Sequence, residues 1–140
     1  MNKKITSLLG SAAVASSMMV APVTSIADDA IVTGNAGILS DYIFRGIFQD
    51  SGVGNGGLDI EYMGFYAGTW LADVGTGIEY DLYAGYIYEF ESGFYLGGGY
   101  TSYQYSDNFD SEYNEINFYA GGTAGDVSID LEYSTGEYNS

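Results

Sequence analysis

One feature constrains this chain more than any other: after the first 30 residues, side-chain character alternates with period two. From Ile78 to Glu89 the chain reads "IEYDLYAGYIYE". Ile78, Tyr80, Leu82, Ala84, Tyr86 and Tyr88 fall on one face, and Glu79, Asp81, Tyr83, Gly85, Ile87 and Glu89 on the other. The same pattern sets Leu58, Ile60 and Tyr62 against Asp59 and Glu61. Near the C-terminus it aligns Ile116 with Phe118 and Ala120, and Val127 with Ile129, Leu131 and Tyr133. From Val32 to Arg45 the even positions end on Tyr42 and Phe44, and the odd positions carry Asp41 and Arg45. Strict alternation is the signature of half-buried β-strands, and no helical period is sustained. Seven strands are predicted, near 31–45, 57–62, 65–72, 77–89, 94–105, 113–122 and 127–134.

The N-terminus has a different character. Lys3 and Lys4 precede a serine-broken apolar run from Ile5 to about Val20, and Ser25 and Ala27 sit at the −3 and −1 positions of a cleavage site. That is the layout of a secretory signal peptide over residues 1–27. An uncleaved anchor fits less well, because the run falls short of the roughly 18 residues of a spanning helix. Residues 28–140 then form one domain. Both lysines leave with the leader, so Arg45 faces all 19 acids and the mature charge is −18. A surface without a cationic patch does not bind nucleic acid. The chain has no cysteine and no histidine, which excludes disulfides, His-dependent catalysis and the usual zinc sites. With 16% aromatic residues it is not a disordered acidic segment.

Two solvents fit the alternation. In a soluble, secreted acidic β-domain the apolar face points inward. In an outer-membrane barrel it meets lipid, and carboxylates line a wet interior. Export, 15 tyrosines suited to a membrane interface, and the confinement of the single proline to the leader favour the membrane. Long and short connections roughly alternate along the chain, as in such barrels. The expected fold is therefore all-β: an antiparallel, up-and-down transmembrane β-barrel.

"SDYIFRGIFQ" carries a resemblance. Ser40, Asp41, Tyr42, Phe44, Arg45, Gly46, Ile47 and Gln49 match the "SDYxFRGIxQ" signature of the TorF-type porin family of Gram-negative outer membranes. Phe48 departs from it, standing where a small hydroxylated residue is usual. "GFYAGTW" (Gly64 to Trp70) and "EYDLYAGY" (Glu79 to Tyr86) resemble that family in the same order. The resemblance implies a β-barrel and passive transport, and brings no catalytic residue. Members are generally longer and end on an aromatic residue, whereas this sequence ends on "EYNS". Single-chain bacterial barrels have about 8 strands or more, in even number. An N-terminal portion of a larger barrel is therefore expected.

The lumen candidates are Asp41, Asp59, Glu61, Glu79, Asp81, Glu115, Asp130 and Glu132, with Arg45 as the single positive group. Rings of carboxylates favour cations; equally, a hydrated interior simply needs polar groups. Arg45 is expected to pair across strands with Asp59, or second with Glu61, because opposite charges there contribute about 0.2–1 kcal/mol; the alternative is an arginine held by loop carbonyls. Asp107, Asp110 and Glu112 form an acidic loop over 106–112 that suits solvent better than Ca²⁺ or a bridge to lipopolysaccharide. "LGGGY" (Leu96 to Tyr100) lacks the lysine and helix of a phosphate loop and instead gives room for a bend or a neighbouring ring. Trp70 is expected at the membrane interface. No nucleophile–base arrangement is present, a carboxylate pair alone does not make a glycosidase, and no enzyme, cofactor or metal is expected. The expected partners are outer-membrane lipid, lipopolysaccharide and small solutes, mainly cations. Three readings follow: a cation-preferring passive channel, a non-conducting structural or adhesive barrel, and a soluble secreted domain.

Overall fold

The structure, a computed structural model, describes residues 17–27, 30–107 and 109–138, with side chains described over 30–107 and 109–137. Eight strands form a single antiparallel meander: β1 (Ser17–Ala27), β2 (Ala30–Phe44), β3 (Ile47–Tyr62), β4 (Phe65–Asp73), β5 (Ile78–Glu89), β6 (Phe94–Tyr105), β7 (Tyr113–Ala124) and β8 (Val127–Tyr138). Each strand pairs with its sequence neighbour, in the order β1 to β8. β2 to β8 are the seven expected strands. β1 lies in residues assigned by sequence to the leader, and its register along β2 slips between Val20 and Val23, around Pro22. Proline cannot donate to a ladder, which accounts for the slip.

The sheet curls. Apolar side chains of the alternating strands face outward: Leu58, Ile60, Tyr62, Ile78, Leu82, Tyr86, Tyr88, Ile116, Phe118, Val127, Ile129, Leu131 and Tyr133 are 39–66% exposed. Carboxylates and amides face the concave side, where Glu79, Asp81, Glu115 and Asn117 are all buried. This is the inside-out distribution of an incomplete up-and-down β-barrel, with β1 and β8 at its two edges. Gly97 to Gly99 lie within β6, and a Cβ at Gly99 or Gly85 would collide with the Tyr66 hydroxyl, so these glycines make room for that ring.

β2 and β3 depart from expectation. The glycine-rich stretch after Arg45 is strand rather than a long loop, because Arg45 and Gly46 alone make the reversal. Both have left-handed φ, +49° and +82°, and Phe44 pairs directly with Ile47. This is the backbone of a type I′ hairpin turn, whose twist matches the flanking strands. β3 meets β4 only from Asn55 onward, so the far part of β2–β3 projects as a two-stranded ribbon. Two irregularities bend it. Gly52 has φ +70° between the pairs Leu39–Val53 and Asp41–Ser51, and Gln49 is an extra residue between Asp50 and Phe48. Bulges raise local twist and re-aim side chains. Leu39 is buried, as its odd parity predicts, and so is Val53 opposite it, but beyond the bend Tyr42 is buried too.

From β2 onward, the connections at the ribbon end run two, four and seven residues, against two, four and two at the other end. The expected alternation of loop length therefore rests on the 106–112 loop. The remaining asymmetry lies in strand length, in the ribbon itself.

Candidate functional site: a ribbon across an acidic concave face

Three successive inward side chains of the ribbon reach three successive strands. Tyr42 donates its hydroxyl to Glu79 Oε1 on β5 at 3.2 Å. Phe44 packs on Tyr103 of β6, ring centroids 5.7 Å apart. Arg45 reaches β7, where Nη1 and Nη2 donate to the two carboxylate oxygens of Glu115 at 2.5 and 2.9 Å. The ribbon thus lies across the mouth of the curled sheet. Leu39, Tyr42, Val53, Ala72 and Val74 form the apolar cluster beneath it, with Phe44, Trp70 and Phe109 packed against them.

The expected Arg45–Asp59 pair does not form. Register sets Asp59 opposite Thr33, far down the ladder from the turn, and Asp59 instead accepts the Tyr83 hydroxyl at 2.5 Å. Glu61, the second choice, lies opposite Ile31 and is half-buried. The fork geometry of Arg45 on Glu115 suits a planar guanidinium, and charge-assisted, bidentate bonds are the strong class. Arg45 also lies 4.9 Å from the centroid of the Phe44 ring. Its hydrogen bonds with Glu115 raise its pKa further above the ordinary arginine range, so the charge is permanent. Arg45 is 47% exposed whereas Glu115 is 4% exposed, so the pair joins a wet tip to a dry wall.

The other lumen candidates separate into groups. Glu79, which also accepts the Tyr105 hydroxyl at 3.3 Å, and Asp81 sit deep in the concave face. Glu115 takes a further bond from the Tyr103 hydroxyl at 3.2 Å. Asp130 and Glu132, on the edge strand β8, are exposed; Asp130 accepts the Tyr95 hydroxyl at 2.8 Å and Glu132 accepts from Ser134 at 3.0 Å. Asp41 is a correction: it is exposed on the face of the ribbon opposite Tyr42, because burial changes parity along β2 between Leu39 and Tyr42. The same shift turns Tyr42 and Phe44 inward, where sequence parity had set them outward.

Trp70 is a second correction. It lies directly opposite the buried Asp81 in the β4–β5 ladder and meets Tyr42 edge-on at 5.5 Å between centroids, inside rather than at an outer rim. Aromatics were thus the residues that sequence reasoning undervalued. Tyr103 and Tyr113 stack at 4.5 Å and 7° on the concave face. Their odd parity, shared with Glu79, Asp81 and Glu115, was the available signal. In the acidic loop, Asp107 accepts from the Ser106 hydroxyl and Asp110 from the Ser111 amide. No group of three or more His, Cys, Asp or Glu is placed to hold a metal ion among the described residues.

The concave face is therefore a set of carboxylates satisfied mainly by tyrosine hydroxyls and one guanidinium, without a nucleophile beside a base among the described residues. Fold and site together define an inside-out, barrel-type sheet with an acidic interior crossed by a hairpin. The chain belongs to Gcw_chp, a family described as bacterial protein of unknown function, which matches residues 25–139. No curated protein and no solved structure matches it.

Proposed function

We propose that the chain forms the wall of a Gram-negative outer-membrane β-barrel that lets small solutes cross passively, with a preference for cations. The observation that carries this reading is the inverted burial: a broad apolar outer surface around buried Glu79, Asp81 and Glu115. Exposed apolar patches of that extent suit lipid, and an acidic lumen attracts cations. The leader over residues 1–27 and the likeness of Ser40 to Gln49 to the TorF-type signature point the same way, with outer-membrane lipid and lipopolysaccharide as surroundings. Reversal potentials in planar bilayers under a salt gradient test it. Cation preference is expected; anion preference, or recovery of the chain from the periplasm without detergent, overturns it.

The ribbon favours a second reading, a non-conducting structural or adhesive barrel. Bonds from Tyr42 to β5 and from Arg45 to β7 fill the mouth with side chains. Normal membrane insertion without conductance steps, in wild type and in Arg45→Ala alike, selects it. Steps that appear or widen in Arg45→Ala select the channel.

A further inference from the structure

Two buried side-chain polar atoms among the described residues have no hydrogen-bond partner, Asp81 Oδ1 and Asn55 Nδ2. Asp81 is 7% exposed, and the preceding inward residue of the same strand is Glu79, at 2%. Side chains two apart on one strand face share a surface about 6.6 Å along the chain. Both tyrosine hydroxyls that reach Glu79, those of Tyr42 and Tyr105, donate to Oε1. Asp81 is flanked in the ladder by Trp70 and Tyr103, neither of which donates to it in any hydrogen bond of the described residues. The one guanidinium available is committed to Glu115. Two adjacent carboxylates with a single donor set between them are among the costliest arrangements to bury without a counter-charge.

We propose that Glu79 and Asp81 together bind one Ca²⁺ ion beneath the ribbon, with Asp81 Oδ1 and Glu79 Oε2 as direct ligands. The chemistry selects a hard divalent cation. The pair supplies two negative charges and only oxygen donors, and Ca²⁺ accepts irregular oxygen sets at about 2.3–2.6 Å where Mg²⁺ demands a regular octahedron. Two protein carboxylates make a weak site, in the range of about 10⁻⁴–10⁻³ M found in extracellular modules. The site deepens the acidic-interior part of the proposed function but does not require conduction. A chain that conducts cations without this site defeats only the site; a chain that binds Ca²⁺ here without conducting defeats only the channel.

The experiment is a Ca²⁺ titration of the full chain folded in detergent micelles. It is read by the thermal unfolding midpoint and by Tb³⁺ luminescence sensitised through Trp70, which faces Asp81 across the β4–β5 pair. The midpoint is expected to rise with Ca²⁺ and saturate at one ion per chain, and Ca²⁺ is expected to displace the Tb³⁺ signal. Asp81→Asn should weaken apparent affinity at least tenfold, whereas Asp130→Asn, on the exposed edge strand, should leave it unchanged. Glu79→Gln serves as the second variant if Asp81→Asn does not fold. The proposal is overturned if the wild type shows no Ca²⁺ response, or if Asp81→Asn and Glu79→Gln keep the full response, which assigns it to surface acids. It is also overturned if Asp81→Asn by itself reproduces the stability of a wild type indifferent to Ca²⁺, which assigns a neutral, protonated carboxyl to Asp81.

Discussion

Two hairpins of this protein have nearly the same turn and opposite fates. Arg45–Gly46 joins β2 to β3 with φ of +49° and +82°; Met63–Gly64 joins β3 to β4 with +51° and +88°. Both put a non-glycine residue in left-handed backbone, which costs about 1–2 kcal/mol for an L-residue. At Met63 the side chain is 75% exposed, and the turn is tied to its neighbour through the backbone, Ile87 N–H donating to the Gly64 carbonyl at 2.8 Å. At Arg45 the tip is anchored by its own side chain, 70 residues away in sequence, on Glu115. Equal turns therefore do not imply equal roles: one closes a wall, the other carries a ribbon across it. Backbone held in a sparsely populated region persists where its surroundings over-determine it, and for Arg45 those surroundings are Glu115 and Phe44.

The comparison can be broken in several ways, with urea unfolding of the micelle-folded chain followed by Trp70 fluorescence. The largest effect expected is for Arg45→Ala, which leaves the buried Glu115 with the Tyr103 hydroxyl as its hydrogen-bond donor among the described residues. It should cost about 2–3 kcal/mol, as for hydrogen bonds to a charged group, while Met63→Ala stays within about 0.5. Equal losses would mean that the Arg45 side chain does not anchor the tip. Next comes Gly64→Ala, at about 2 kcal/mol or more, because a Cβ there meets the Ile87 carbonyl and the Tyr86 ring as well as the left-handed strain. Gly46→Ala, with open space around it, should cost about 1 kcal/mol from strain alone. A Gly46→Ala loss equal to that of Gly64→Ala would place the ribbon tip against something more than its two anchors. The smallest effect separates turn propensity from anchoring. Met63→Asn should stabilise by a few tenths of a kcal/mol, since Asn-Gly suits this turn, yet Arg45→Asn should still destabilise although it is the better turn residue. Stabilisation by both would leave the ribbon's position to its bulges alone.

Much of the wall was legible in the sequence. Strands β4 to β8 fall within a few residues of the predicted spans, and the outward Ile78, Leu82 and Tyr86 and inward Glu79 and Asp81 follow parity. "MG" as a tight turn and "SDNFDSE" as a longer, acidic loop were also readable. "GIFQDSGVGNG" was not, because its glycines signal loops in general. As a strand it gains its ladder from β2, which no local pattern reveals. Asp41 and Trp70 failed for two further reasons. Burial changes parity within the ribbon between Leu39 and Tyr42, and aromatic character was credited to lipid where it served the interior.

What the sequence determined by itself is whatever depends on near neighbours. Period-two alternation fixes which face a side chain takes, because successive residues of a strand must point opposite ways. The Arg-Gly and Met-Gly pairs fix where the chain can reverse. What the tertiary structure decided is the partner of Arg45 and the path of the ribbon. Those depend on the curl of the sheet, which sums the twist of every strand pair between β2 and β7, and on two irregularities that redirect the ribbon into it. A charge written beside Tyr42 and Phe44 thus finds its carboxylate on β7 rather than on the neighbouring strand.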